Sequence, residues 1–282
     1  MHASTQKGWI VITGCSSGIG LCVANGLKAL GYQVLPCCRT ALQAQVLAAD
    51  FPQVVAFDLA LEADVDAGAA QILHITEGHI YALFNNAGFG QPGALEDISR
   101  ATLEAQFAVN VFGLHRLTQR LLPTLIARAD ARLIQHSSVL GFVGMPFRGA
   151  YNASKYAVEG LCDTLRQELK GTGVQVSLIE PGPVLSEFRN NALQVLKANV
   201  DLTASRHAMT YQKSLARLAA KGPAVPFTVA PEVVLNCVVH ALTHPRAKIR
   251  YRVTVPTHVL AVLKRLLSSR WFDALVAASS KA

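Results

Sequence analysis

Apolar positions along the chain follow two alternating rhythms. Short runs rich in Val, Ile and Leu, apolar on both faces, occupy 9–13, 33–38, 54–57, 80–84, 132–137 and 174–179. Between them, over 19–30, 41–49, 63–75, 102–127 and 151–170, apolar residues recur at helical spacing. Strands buried on both faces and separated by helices predict an α/β fold with a doubly wound parallel sheet of the Rossmann type. The regularity lapses between Pro181 and Ala230, where Pro181, Pro183, Pro223 and Pro226 bracket a helical segment carrying Ala192, Leu193, Leu196, Leu215 and Leu218. Because it follows the carboxyl end of a strand, 181–230 reads either as a lid over a ligand site or as a surface insertion. A helix over 231–242 and a last strand over 248–254 follow. No repeat, linker or low-complexity tract interrupts the pattern, so 1–282 reads as a single domain with an amphipathic extension over 256–282.

Composition narrows the class. Of 282 residues 51% are hydrophobic and 16% charged, too apolar for a disordered chain and enough for a sizeable core. The six cysteines, at 15, 22, 37, 38, 162 and 237, form no CxxC pair and no zinc spacing, so no metal site is expected. Reduced thiols point to the cytoplasm. Residues 1–7 run directly into the first strand without the apolar core of an export signal, and no unbroken apolar span is long enough to cross a membrane.

The formal charge of +8 would suit nucleic acid, a membrane surface or an anionic substrate. Its location decides among them. Residues 1–245 carry 18 basic and 17 acidic side chains, whereas 246–282 carry eight basic ones and Asp273 alone. The excess lies in the tail, and no nucleic-acid partner is expected. Lys248, Arg250 and Arg252 alternate with Ile249, Tyr251 and Val253, the pattern of an edge strand with one basic face. Beyond Pro256, apolar residues from Val259 to Val276 are punctuated by Lys264, Arg265 and Arg270. Three roles suit such a segment: capping a pocket, joining protomers, or peripheral contact with an anionic membrane surface.

Candidate chemistry begins at Thr13-Gly14-Cys15-Ser16-Ser17-Gly18-Ile19-Gly20, directly after the first strand and opening the first helix. Glycines permit a tight turn and a close approach of backbone to a pyrophosphate, which the helix N-terminus then attracts. At the end of the second strand, Cys38 stands where a carboxylate would receive the adenosine ribose hydroxyls, and Arg39 follows it. A guanidinium without a neighbouring carboxylate favours a 2′-phosphate, hence NADP(H) over NAD(H). Asp58, ending the third strand, is placed either to accept from the adenine amino group or to cap the next helix.

Tyr151 and Lys155 lie one helical turn apart, downstream of Ser137-Ser138 at the end of the fifth strand. A tyrosine whose pKa is drawn down by a neighbouring cation can give a proton to a carbonyl oxygen that receives hydride on carbon, and Ser138 can hold that oxygen. Asn85-Asn86-Ala87-Gly88 follows the fourth strand. Asn110 stands within an apolar helical face, where local hydrogen bonding is the simplest role.

Taken together these residues resemble the short-chain dehydrogenase/reductase family: Thr-Gly-x-x-x-Gly-x-Gly at 13–20, Asn-Asn-Ala-Gly at 85–88, Tyr-x-x-x-Lys at 151–155, with Ser138 and Asn110 at matching intervals and Pro181-Gly182 after the sixth strand. The likeness covers roughly residues 8 to 190. It implies a catalytic tetrad of Asn110, Ser138, Tyr151 and Lys155, Asn110 holding a water relay behind Lys155 and Lys155 also binding the nicotinamide ribose. It implies a cofactor site of Gly14, Ser16, Ser17, Gly18, Ile19, Gly20, Arg39, Asp58, Asn86, Ala87, Gly88, Tyr151, Lys155, Pro181, Gly182 and Ser186, with Ser186 in place of the usual threonine against the nicotinamide carboxamide. Within the family the pattern is similar to the retinol and 17β-hydroxysteroid dehydrogenase branch and its bacterial NADP-dependent aldehyde and ketone reductases. Dimers or tetramers built on the helices over 102–127 and 151–170 are also implied.

Three loops should wall the substrate space, offering Phe89, Leu140, Phe142, Met145, Phe147, Leu185 and Phe188 and few charges. The expected activity is NADPH-dependent reduction of a hydrophobic aldehyde or ketone. NAD(P)-dependent oxidation of a hydroxysteroid or retinol, and a non-catalytic NADP(H) sensor, are the alternatives.

Overall fold

The computed structural model describes residues 8–219, 222 and 226–281; Met1–Lys7 and Pro223 lie outside the described residues. Strand β1 (Trp9–Thr13) leads into helix α1 (Gly18–Ala29), followed by β2 (Val34–Cys38), α2 (Ala41–Leu47), β3 (Val55–Ala56), α3 (Glu62–Thr76) and β4 (Ile80–Asn85). The second half runs through α4 (Arg100–Phe107), a π-helical segment (Ala108–Gly113), α5 (Leu114–Ile126), β5 (Arg132–His136), α6 (Gly149–Glu168) and β6 (Gln175–Glu180). Helices α7 (Phe188–Asn199), α8 (Ala208–Ala219) and α9 (Glu232–Thr243), strand β7 (Arg250–Arg252), and helices α10 (Val255–Leu266) and α11 (Ser269–Lys281) complete the chain.

All seven strands form one parallel sheet in the order β3-β2-β1-β4-β5-β6-β7. Alternate strand residues feed opposite cores. Val11, Leu35, Leu83 and Leu133 pack with Val65, Leu117 and Val158 from α3, α5 and α6. Ile10, Ile12, Val34, Phe84 and Ile134 pack with Val23, Leu27, Val234 and Val238 from α1 and α9. Both faces are therefore covered, as the continuous apolar runs require. All six cysteines are free.

The helix expected over 102–127 is corrected in form. It begins at Arg100, where the Ser99 hydroxyl accepts from the Thr102 amide at 3.1 Å, and it widens to π geometry over Ala108–Gly113 before continuing as α5. Such a bulge re-aims the side chains on it, and Asn110 is one of them. The tail is two helices rather than one. Phe272 and Val276 of α11 pack on buried Val143, joined by Leu260 and Leu263 of α10. Val255, Val259, Val262, Leu266 and Trp271 remain exposed. Among the described residues no helix is long and apolar enough to cross a membrane.

Strand β7 is the sheet edge, yet its basic face is not turned to solvent. Arg250 pairs with Glu180 at 3.0 Å, Glu159 at 3.0 Å and Asp163 at 2.8 Å, and Arg252 reaches Glu180 at 3.3 Å. The alternation signalled an edge strand correctly but concealed the acids that face it, because they come from α6 and β6. Burial raises the Glu180 carboxyl to about 7, against the pull of both arginines. Removing one partner of a buried pair costs about 3 kcal/mol. Arg250→Ala should lower the unfolding free energy by about 2–3 kcal/mol at pH 8, measured by urea denaturation. The loss should shrink toward pH 5, since Glu180 then takes up a proton and a neutral acid left without its cation costs less.

Candidate active site

The sheet order reverses beside β1, and the loops after β1 and β4 diverge there to leave a crevice at the carboxyl ends of the strands. Side chains tie this edge together. The Thr13 hydroxyl accepts from the amides of Asn86 at 3.1 Å and Ala87 at 3.0 Å. Asn86 Nδ2 donates to the carbonyls of Thr13 at 2.9 Å and Gly14 at 3.3 Å, while its Oδ1 meets His136 Nδ1 at 2.8 Å. Burial holds His136 neutral, near 3, so the contact is a neutral imidazole N–H donating to the amide oxygen. Asn85 points the other way, donating to Thr118 at 2.8 Å and anchoring α5. The two adjacent asparagines thus divide into one structural and one site residue.

The glycine loop fits a dinucleotide. Gly14 has φ +73°, and a Cβ there would stand 2.8 Å from the Ala87 Cα; a Cβ on Gly20 would lie 2.2 Å from the Gly14 carbonyl. Ser17 precedes α1 in extended conformation without a side-chain cap, and the first turn carries no acid. Its N–H groups are left for an anion. Ser16 is exposed, Gly18 and Ile19 are partly buried, and Gly18 faces the Ser186 side chain, which closes over the loop from the far side of the crevice. Arg39 is exposed beyond buried Cys38, ahead of the Thr40 capping box of α2. Asp58 is not a helix cap: its Oδ1 accepts from the Ala60 amide at 2.9 Å in a turn, and Leu61 precedes the first residue of α3. Pro181 accepts from the Val139 amide at 2.8 Å, fixing the start of the Pro181-Gly182 turn against the Ser138 loop.

The four tetrad positions converge beneath this loop. Asn110 is fully buried; its Oδ1 accepts from the Phe89 amide at 3.1 Å, and its Nδ2 donates to the Phe89 carbonyl at 2.9 Å and Ser154 Oγ at 3.1 Å. Lys155 Nζ donates to the His136 carbonyl at 2.6 Å. Gly88 lies between them: a Cβ there would be 3.1 Å from Asn110 Oδ1 and 3.7 Å from Lys155 Nζ. The Ser138 hydroxyl accepts from the Leu140 amide at 3.1 Å and lies near enough to the Tyr151 phenol to act on its ionisation.

One electrostatic expectation is corrected. Burial pushes the Tyr151 phenol up to about 12, outweighing the nearby Ser138 hydroxyl and the charge of Arg148. Lys155 does not draw it down: its ammonium sits 5.8 Å from the phenol ring centroid, bonded to backbone. Burial in turn lowers Lys155 to about 8, and the Glu159 carboxylate one turn along α6 partly restores it.

The substrate wall is also redrawn. Phe188 packs against Tyr151 with ring centroids 5.4 Å apart and planes tilted by 60°, and Leu140 is buried beside Ser138. Phe147 packs edge-on against His207 and Tyr211 of the lid. Phe142 and Met145 belong instead to the cluster that docks α10 and α11, and Leu185 is 38% exposed at the lid base. The 181–230 segment is pinned at its root by Val184 and Val229 and carries its own cluster of Ala192, Leu196, Val200, Tyr211 and Leu218. Tyr211 donates to Asp97 at 2.6 Å, and Arg206 grips Glu96 through two bonds. Its two helices dock beside the crevice, α7 through Phe188 on Tyr151 and α8 through Tyr211 on Asp97. Reading the sequence alone passed over His136, Ser154 and Arg148. His136, immediately before Ser137-Ser138, was the most accessible of these, since its neighbours already marked the strand end.

The short chain dehydrogenase family profile matches residues 8–196. The chain is 41% identical to the uncharacterized oxidoreductase YbbO of Escherichia coli strain K12 over 267 residues, 95% of this chain and 93% of that one. It is 33% identical to human retinol dehydrogenase 8 over 92% of this chain and 86% of that one. A short chain dehydrogenase/reductase from Burkholderia phymatum, solved in complex with NAD, superposes with a TM-score of 0.76 at 26% identity, covering 93% of each chain. The protein belongs to the short-chain dehydrogenase/reductase family of oxidoreductases, whose members use nicotinamide cofactors on carbonyl and alcohol groups.

With Tyr151 near 12 and Lys155 near 8, the group that changes charge first above neutrality is the lysine. Carbonyl reduction should therefore fall as pH rises through about 8, read as kcat against pH. Glu159→Gln should move that midpoint to lower pH, because it removes the carboxylate that favours the charged ammonium.

Proposed function

We propose that the protein reduces hydrophobic aldehydes or ketones to alcohols with NADPH, Tyr151 giving the proton. The observation that carries this reading is the meeting of Tyr151, Ser138, buried Lys155 and buried Asn110 at the carboxyl end of the sheet beneath the glycine loop. A protonated phenol beside the reacting oxygen can give the proton that reduction consumes. Ser138 orients the carbonyl oxygen beside the phenol. Lys155 supplies positive charge below the developing alkoxide, while Asn110 fixes the Phe89 backbone and, through Ser154, the first turn of α6.

NADPH supplies hydride when bound. Gly14, Ser16, Ser17, Gly18, Ile19 and Gly20 would hold its pyrophosphate at the α1 N-terminus, and Asn86, Ala87, Gly88, Pro181, Gly182 and Ser186 would line the nicotinamide end. Arg39 would take the 2′-phosphate and Asp58 the adenine amino group. Phe89, Leu140 and Phe188 supply the apolar surface for the carbonyl compound. Phe112 on the π segment and Tyr156 and Leu161 on α6 are exposed, and they offer a surface for pairing protomers.

Likeness to retinol dehydrogenase 8 supports a second reading, NAD(P)-dependent oxidation of a hydroxysteroid or retinol. A panel of aldehydes, ketones, retinol and hydroxysteroids, followed through NADPH or NADP absorbance in both directions, separates the two. Aldehyde reduction should dominate, and Tyr151→Phe should cut it by about 100-fold or more. Turnover that survives in Tyr151→Phe defeats the mechanism, and tight NADPH binding without turnover favours a sensor.

The cofactor assignment is tested separately. Arg39→Ala should reduce kcat/KM for NADPH by about 10- to 100-fold, as expected for losing a charged hydrogen bond, and leave NADH within about twofold. A wild-type preference for NADH that is unaltered in the variant removes it.

A further inference from the structure

Helix α10 wears its apolar residues on the wrong side for a helix at a protein surface. Thr257 and Ala261 face inward and are buried, and Lys264 reaches back to the Phe142 carbonyl. The opposite side carries Val255, Val259, Val262 and Leu266, each between 48% and 75% exposed. Steps of four, three and four residues set these side chains in one line along the helix. Trp271 follows in the first turn of α11 and is exposed, while its neighbour Phe272 is buried in the cluster with Val143. A surface helix ordinarily turns its polar face outward.

Cations border this stripe. Arg265 flanks it within α10, Arg270 directly precedes Trp271, and both are exposed. Among the described residues neither forms an ion pair, in contrast to Arg250 and Arg252 on β7. Asp273 is the single acid of 246–282, against eight basic residues. Whatever covers the stripe must therefore supply apolar surface for the valines and negative charge for the arginines.

A second copy of the chain meets the first requirement and fails the second. Two such faces paired about a two-fold axis put like surface on like, so the arginines of each copy would confront the same cations and one acid. Juxtaposed like charges oppose association. An anionic lipid surface meets both requirements. Its headgroups attract exposed Lys and Arg, its acyl boundary accepts Val and Leu, and the headgroup level suits Trp. The helix has only to lie on such a surface, and its 12 residues are too few to cross one.

We propose that the outer face of α10, with Arg265, Arg270 and Trp271, docks the protein on an anionic lipid bilayer, the helix lying in the plane of the interface. The inner side of the same helix touches the candidate active site. The Thr254 and Thr257 hydroxyls meet at 2.9 Å, and a Cβ on Gly182 would stand 2.1 Å from the first and 3.0 Å from the second. A helix with its side chains is about 10–12 Å across, so docking brings the Pro181-Gly182 turn to about that distance from the lipid. Apolar carbonyl compounds concentrate in bilayers, and the docked protein meets them there. That consequence rests on the carbonyl-reductase reading; the docking itself rests on the stripe and its cations.

The test is cosedimentation of the full chain with vesicles of phosphatidylglycerol or of phosphatidylcholine, at low and at high salt. Binding to the phosphatidylglycerol vesicles should be stronger by about tenfold or more at low salt and should fall as salt rises. The double variant Val259→Asn/Val262→Asn should weaken it by about tenfold or more. Arg265→Gln/Arg270→Gln should abolish most of the preference for the anionic lipid. Both variants should keep the wild-type midpoint in urea, since all four side chains are exposed, and this separates lost docking from lost folding. Sedimentation with neither vesicle, or binding that both double variants leave intact, overturns the proposal whether or not any carbonyl compound is turned over. A fall in the lipid-free mass of Val259→Asn/Val262→Asn at sedimentation equilibrium would mark the stripe as an interface between copies and reject the lipid assignment.

Discussion

Everything at this site hangs on a short chain of hydrogen bonds across the sheet edge. Thr13 holds the loop after β4, Asn86 reaches back to the Thr13 and Gly14 carbonyls, and His136 bonds Asn86 through its ring and Lys155 through its carbonyl. Three parallel strands are thereby fixed at their carboxyl ends, where a topological reversal leaves room for a ligand. The glycine loop needs that fixity, because Gly14 and Ala87 touch too closely for any other residue at position 14. Lys155 needs it as well, since a buried ammonium must be bonded or it will shed its proton. A neutral His136 meets both needs, joining two strands without adding a second cation beside the lysine.

Burial sets the chemistry more than pairwise charge does. Tyr151 moves up and Lys155 moves down, and in both the largest cause is removal from water. The same pressure acts on Glu180 and Arg148. What distinguishes these groups is how each is compensated. Glu180 faces two arginines in an arrangement that fastens β7 and the tail to the catalytic body. Arg148 meets no carboxylate among the described residues; the charge of Arg217 adds to burial in lowering it, and Tyr151 acts the other way.

Much of this was legible in the sequence, for identifiable reasons. Strands such as Ile10-Val11-Ile12 and Leu133-Ile134 are apolar at consecutive positions because both sheet faces are covered, so the doubly wound class follows from composition and period. Gly14, Asn86, Ser138, Tyr151 and Lys155 were marked by spacing, and they do converge. Spacing says nothing, however, about side chains that meet across long separations. Phe142 and Met145 as the seat of the tail depend on partners more than a hundred residues away, and the π segment around Asn110 and the turn at Asp58 are local geometries that periodicity does not encode. Net charge was the least legible feature. A near-neutral count over 1–245 averaged an acidic surface elsewhere with a lid that is almost wholly basic.

That averaging bears on how the lid and the tail differ. Both are cationic, and both cover the carboxyl-end face of the sheet. In the tail, three cations serve structure: Arg250 and Arg252 grip acids, and Lys264 bonds the Phe142 carbonyl and lies over the Tyr156 ring, while Arg246, Lys248, Arg265 and Arg270 are exposed. Beside these exposed cations runs an apolar stripe from Val255 to Leu266 with Trp271. In the lid the apolar residues are spent instead, in the cluster around Leu196 and Tyr211, and cations such as Lys213 and Arg217 are exposed. The two covers are thus fastened by opposite means: the 181–230 segment by its own apolar cluster and by Tyr211 and Arg206 on the loop after β4, the tail by ion pairs that leave an apolar stripe outside.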